Sequence, residues 1–236
     1  MSGTLFLVPN ALDVGTGEAA ADLGDRLPLG TLRVAARLGH WVCENAKTTR
    51  AFLKRVDAVC PLAQPIQALT IVELPRPPKG RAAAAHADLA SLLAPALADP
   101  GAQLVAAAHA VRVRVVALPG ASSIALAIAA SGLDGQSFAF VGYLPINAAE
   151  RNDRIRELEA ASRRLTQTQV AIETPYRNPA LLATLVAQLQ PTTVLSVSVG
   201  LTLASESTRS APVARWRAEP GSVAADVPAV FAWLAR

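Results

Sequence analysis

Apolar and polar positions follow two periods along this chain, and the switches between them mark its elements. Thr4 to Val8 is an apolar run stopped by Pro9-Asn10, which predicts a buried strand. A helical spacing over Leu32 to Leu38 ends at Gly39, and His40 to Cys43 predicts a second strand. Asn45 or Thr48 is placed to cap a helix holding Phe52, Leu53 and Val56. Ala68 to Leu74 predicts a third strand, residues 75–81 (PRPPKGR) a stiff basic loop, and residues 82–98 and 104–111 two helices. Arg112 to Leu118 then alternates as a strand up to Pro119-Gly120.

The second half predicts helices over 122–130, 148–166 and 178–189, and strands over 137–142, 169–173, 193–199 and 229–234. Leu201 to Arg217 is rich in Ser, Thr and Val without a helical period. Near-continuous apolar strands alternating with helices predict an α/β domain on a parallel sheet over residues 1–118. A second α/β domain, with some antiparallel strands, is expected over 119–236.

Composition narrows the function classes. With 52% hydrophobic and 17% charged residues the chain is too apolar to be disordered. The net charge of +4 is small, and the 22 basic residues divide almost evenly about Pro119, so a polyanion partner is permitted rather than demanded. Cys43 and Cys60 have no paired histidine motif, which supports neither a disulfide framework nor a zinc site and points to a reducing compartment. The first residues lack a signal-peptide pattern, and residues 82–98 carry His86, Asp88 and Pro95, a poor span; a cytoplasmic protein outside the membrane is expected.

Chemistry gathers where strands end. Glu44 to Arg50 follows the second strand and Glu173 to Arg177 a later one, at the positions where open α/β sheets bind ligands. The Pro119 turn, with Ser122 and Ser123 opening an alanine-rich helix, suits close backbone approach to an anionic group, or Ser122 is simply a cap. No G-x-G-x-x-G, P-loop or nucleophile-elbow pattern is present, and His40, His86 and His109 are too scattered for a role. Arg151, Arg154, Arg156, Arg163 and Arg164 share a helix with Glu150, Asp153, Glu157 and Glu159, and such mixed signs predict a solvated face.

Taken in order, G-T-L-F-L-V-P-N, E-N-A-K-T-T-R, A-D-P-G, V-V-A-L-P-G-A-S-S, F-x-F-x-G-Y-L-P, I-E-T-P-Y-R and L-T-L-A-S-E resemble the tetrapyrrole (corrin/porphyrin) methylase superfamily. The nearest branch is the one with the small-subunit rRNA ribose methyltransferases. The resemblance implies two α/β domains of the class III methyltransferase type, with S-adenosylmethionine in an interdomain cleft, usually in a homodimer. It places Pro9, Asn10, Leu12, Pro119, Ser122, Ser123, Glu173, Thr174, Leu201 and Thr202 near the cofactor, with no metal. Glu44 or Lys47 becomes the candidate general base for a ribose hydroxyl, and Arg76, Lys79 and Arg81 candidate contacts to rRNA. A tetrapyrrole or other small-molecule acceptor and a noncatalytic cofactor- or RNA-binding paralogue are the alternatives. Two departures bear on them: the first loops differ from the P-T-P-I-G-N and E-D-T-R types, and the S-[DE]-A-G-x-P strand expected before Asp99-Pro100-Gly101 is missing. Because losing a central strand exposes two edges, omission of a stretch from this sequence is the expected reason.

Overall fold

The computed structural model describes residues 3–12, 22–74 and 100–236. The basic loop at 75–81, with Arg76, Lys79 and Arg81, and the helix expected at 82–98 lie outside them. The chain divides into two compact units, the first made of Met1–Ala11 and Ala20–Gly120 and the second of Leu12–Ala19 and Ala121–Arg236.

The first unit runs β1 (Thr4–Leu7), α1 (Leu29–Ala35), β2 (His40–Cys43), α2 (Ala46–Val59), β3 (Thr70–Glu73), α3 (Pro100–Ala110) and β4 (Arg114–Ala117). Helix α1 starts three residues before its expected position, directly after Pro28, whose fixed φ suits a helix start. Its early end leaves the Leu38 carbonyl to accept from Trp41 Nε1 at 3.1 Å. Leu23, Leu27, Leu32, Leu53 and Val56 are almost fully buried around α2, with Trp41 edge-on to Phe52. Parallel pairing is as expected, Leu5 opposite Val115 and Trp41 opposite Ile71. Among the described residues, however, it forms two separate sheets, β1-β4 and β2-β3, rather than one.

The second unit runs α4 (Ser123–Ser131), β5 (Phe138–Tyr143), α5 (Ala148–Leu165), β6 (Thr168–Ile172), α6 (Asn178–Gln188), β7 (Val194–Val199), β8 (Ser207–Pro212), α7 (Val213–Ala218) and β9 (Ala229–Leu234). Its five strands lie in the order β5-β6-β9-β7-β8. β5 and β6 are parallel, whereas β9 pairs antiparallel with β6 and β7, and β8 with β7. Leu195, Val197, Phe231 and Trp233 join Ile155 and Leu158 of α5 and Leu181 and Leu185 of α6 in one core. Val170, Val230 and Ala232 form another with Ala127 of α4. Burial on both sides explains why β9 reads as an unbroken apolar run. Helix α7 falls in the stretch read as irregular; at six residues, it shows no period, though Val213 and Trp216 are buried.

Candidate functional site

In the first unit a cleft of about 600 Å³ is lined by Thr4 to Asn10 and His40 to Asn45 without a gap in either run. Side chains alternate across a strand, so a cavity over a face would touch every second residue. Unbroken runs mean that the cleft follows the edges of β1 and β2. Those are the edges without a strand partner among the described residues. Pro9, Asn10, Glu44 and Asn45 line its part beyond the carboxyl ends of both strands.

Most polar atoms of the Glu44–Thr49 turn serve the turn itself. Asn45 Oδ1 accepts from the backbone of Lys47 at 2.9 Å and of Thr48 at 3.1 Å, and so caps α2. The Asn45 carbonyl accepts from both Thr48 Oγ1 and Thr49 Oγ1 at 3.0 Å. Glu73 Oε1, from the end of β3, accepts from Ala46 N. The Glu44 carboxylate has no hydrogen-bond or ion-pair partner among the described residues and lines the cleft. Lys47 is exposed and is not part of the lining. Asn10 Oδ1 accepts from Ala11 N at 2.9 Å, and Leu12 is half-buried.

The Pro119-Gly120 turn is packed against the first loop. Thr31 Oγ1 donates to the Pro119 carbonyl at 2.7 Å. A Cβ on Gly120 would lie 2.3 Å from Pro9 Cγ, so no side chain fits there. Ser122 Oγ accepts from Ala125 N at 3.4 Å as the cap of α4, and Ser123 opens the helix half-buried.

In the second unit Glu173 Oε1 is buried and accepts three times: from Thr174 N at 2.7 Å, Thr174 Oγ1 at 3.2 Å and Arg177 Nη2 at 2.7 Å. Arg177 Nε also donates to Thr174 Oγ1 at 3.2 Å. Arg177 therefore locks this turn. The sequence reading gave it no role, although its spacing of four from Glu173 was visible. Tyr176 is 70% exposed. After β7, Leu201 is buried and Thr202 takes φ +73°, a left-handed conformation that a β-branched residue rarely adopts. Its N–H donates to Glu206 Oε2 at 2.7 Å, while its buried Oγ1 has no partner.

Two arginines of α5 pair within the helix, Arg154 with Glu157 at 2.6 Å and Arg156 with Asp153, while Arg163 donates to the Arg236 carbonyl at 3.4 Å. Among the described residues no group of His, Cys, Asp and Glu could hold a metal, and no helix is long and apolar enough to cross a membrane.

Two features of the first unit fit a ligand of the size of S-adenosylmethionine. The cleft volume lies in the range of small-molecule sites. The glycine at 120 allows the close approach of two loops.

No family model matches the chain. A Streptococcus pyogenes protein named ribosomal RNA small subunit methyltransferase I is 32% identical over 183 residues, 75% of this chain and 57% of that protein. Its namesake from Micromonospora olivasterospora is 30% identical over 194 residues, covering 80% and 56%. In the Vibrio cholerae protein of the same name the match is 39% over 83 residues, 35% of this chain and 27% of that one. At its longest matches the chain thus spans about half the length of these relatives. The solved structure of the methyltransferase CobJ shares the fold, with a TM-score of 0.51 at 13% identity over 100% of this chain and 95% of that one. Relatives at 30% and 32% identity over three-quarters or more of its length show the family: the chain belongs with the proteins named ribosomal RNA small subunit methyltransferase I, and it shares the α/β fold of the methyltransferase CobJ.

Proposed function

We propose that this protein is an S-adenosylmethionine-dependent methyltransferase that modifies a ribose hydroxyl of small-subunit rRNA in the cytoplasm. The observation that carries the reading is the match of relatives with that name over three-quarters or more of the chain. S-adenosylmethionine, when bound, supplies a methyl group already activated for transfer. The chain's own task is to orient an acceptor oxygen, exclude water and take up a proton. Pro9, Asn10, Pro119, Ser122 and Ser123 are the proposed cofactor contacts of the loops around β1 and β4. Leu12, Glu173, Thr174, Leu201 and Thr202 complete the set. Within the second group, Thr202 Oγ1 is a buried atom without a partner, while Glu173 and Thr174 shape the turn through Arg177. Glu44, unpartnered at the cleft, is the proposed general base that accepts the hydroxyl proton as the new O–C bond forms. Lys47 is outside the lining and is not placed in the chemistry.

Calorimetry with S-adenosylhomocysteine, followed by methyl transfer to unmodified small ribosomal subunits, tests the reading. Glu44→Gln is expected to lower kcat by about 100-fold or more while leaving cofactor affinity within about twofold. No cofactor binding at millimolar concentration in a folded protein would refute methyl transfer. Cofactor binding with a coloured macrocycle co-purifying, and no transfer to RNA, would move the acceptor to a tetrapyrrole.

A homodimer belongs to the same proposal. Phe138, Phe140 and Tyr143 are 43%, 49% and 60% exposed along β5, the outer strand of its sheet. Such an apolar edge is covered by a second chain more readily than by water.

A further inference from the structure

Helix α2 carries Lys47, Arg50, Lys54 and Arg55 against a single acid, Asp57. Phe52, Leu53 and Val56 are its buried residues and fix its rotational phase. At 3.6 residues per turn, Lys47, Arg50 and Lys54 fall within an arc of about 60° on the opposite side, spread over about 10 Å of axis. All three are exposed, and none has a side-chain hydrogen bond or ion pair among the described residues. Asp57, the acid of the helix itself, accepts from Leu62 N at 2.9 Å.

The order of charge along the helix is a second, independent observation. Helix α2 has no acid in its first turn and no base in its last, and Lys47 stands at the positive pole of the macrodipole. That placement costs stability. Helix α5 of the same chain does the reverse, with Glu150 in the first turn and Arg163 and Arg164 in the last, and pairs its arginines with neighbouring acids. One helix is thus charged for its own stability. The other places two cations, Lys47 and Arg50, near its own start, where the Glu73 carboxylate accepts from Ala46 N, beside the Glu44–Asn45 rim of the cleft.

We infer that the outward face of α2 is an RNA-docking surface, on which Lys47, Arg50 and Lys54 neutralise phosphates of the nucleic acid that presents the acceptor. The inference rests on the RNA substrate of the proposed function. A membrane is the poorer partner, since the other exposed residues of α2 are Thr48, Ala51, Asp57 and Ala58, with no large apolar group to insert.

The test is binding of in vitro transcribed small-subunit rRNA to the full chain over a fourfold range of salt. The variant Lys47→Gln/Arg50→Gln/Lys54→Gln is compared with Arg154→Gln/Arg156→Gln/Arg164→Gln on α5. Three released phosphate contacts at roughly 0.7 per contact for single strands flatten the slope of log K against log salt by about 2, so wild type loses about 20-fold more affinity than the α2 variant across that range. The α5 variant is expected to behave as wild type. Lys47→Glu is expected to raise the thermal midpoint while weakening RNA binding, a pairing that damage to the fold cannot produce. Absence of RNA binding by wild type, equal effects of both triple variants, or binding to anionic phosphatidylserine vesicles in place of RNA overturns the inference. Calorimetry with S-adenosylhomocysteine separates it from the reading on which it rests. If the α2 variant keeps wild-type cofactor affinity and RNA affinity, the docking face is wrong and methyl transfer survives. If neither protein binds cofactor but RNA binding depends on α2, methyl transfer fails and the docking face stands.

Discussion

Replacing Thr202 by glycine is expected to make the protein more stable and a poorer binder. At φ +73° the threonine Cβ is held in the left-handed region, which costs an L residue about 1 to 2 kcal/mol. Glycine removes that strain, but its looser unfolded chain returns roughly 0.5 to 1 kcal/mol. The buried Oγ1 has no partner in the protein, so deleting it recovers about 1 kcal/mol of desolvation. The lost Cβ and methyl, on a half-buried residue, together forfeit about 0.8 kcal/mol of burial. The balance favours Thr202→Gly by roughly 1 kcal/mol, a rise in Tm of about 3 °C for a chain of this size. If the hydroxyl is held in reserve for a ligand, affinity for S-adenosylhomocysteine falls by about three- to tenfold, the worth of one hydrogen bond. Thr202→Ser keeps the hydroxyl, and its affinity is expected to stay within about twofold of wild type. Scanning calorimetry and titration calorimetry on the three proteins read both quantities. A lower Tm for the glycine variant, or unchanged affinity, would show that the conformation at 202 is ordinary loop geometry and that its hydroxyl has no ligand.

Arg177→Met strands the buried Glu173 carboxylate without its countercharge; because Thr174 still donates twice to it, the expected loss is about 2 kcal/mol, below the usual cost of breaking a buried pair. In chemical denaturation the double variant Glu173→Gln/Arg177→Met should recover most of that loss, and failure to do so would assign Arg177 a role beyond this turn. Gly120→Ala drives a Cβ to 2.3 Å from the Pro9 ring, so the first loop must move; a loss of about 2 kcal/mol in urea unfolding is expected, with weaker cofactor binding in the surviving fold.

The apolar strands were the most legible part of the sequence, because four to six apolar residues stopped by Pro, Gly or Asn give one pattern wherever they occur; β8, in the Ser- and Thr-rich stretch, lacks that pattern and was not read as a strand. The position of polar turns was legible for the same reason: Glu44 and Glu173 each follow directly on a strand. What lay beyond the sequence was how those turns are bonded. Nothing in E-T-P-Y-R shows that one carboxylate oxygen accepts three bonds from its own neighbours, and nothing in L-T-L shows a left-handed threonine. The separation of β1-β4 from β2-β3 was hidden too, since strand pairing is set by contacts distant in sequence. Lys47 is a different case. The phase of α2 could be read from Phe52, Leu53 and Val56, and it turns Lys47 toward solvent; its nearness to Glu44 in sequence was the weaker guide.

A turn can offer a ligand only what its own hydrogen bonds leave over. By that measure the residue types collected at the strand ends overstate the chemistry available. Asn45, Thr48, Thr49 and Glu73 are consumed in starting α2, Ser122 in capping α4, and Glu173, Thr174 and Arg177 in holding one another. These groups make the backbone stiff, which is what presenting N–H and C=O groups at fixed positions requires. What these bonds leave over, among the described residues, includes the carboxylate of Glu44, bordering the cleft, and the hydroxyl of Thr202, buried and unpaired. One can take a proton and the other can meet a polar atom, while the large apolar cleft wall supplies area without direction. On this account specificity for the acceptor does not reside in the turns. It falls to surfaces that are polar, exposed and unsatisfied, and the cation face proposed on α2, beside the Glu44 rim, is one such surface.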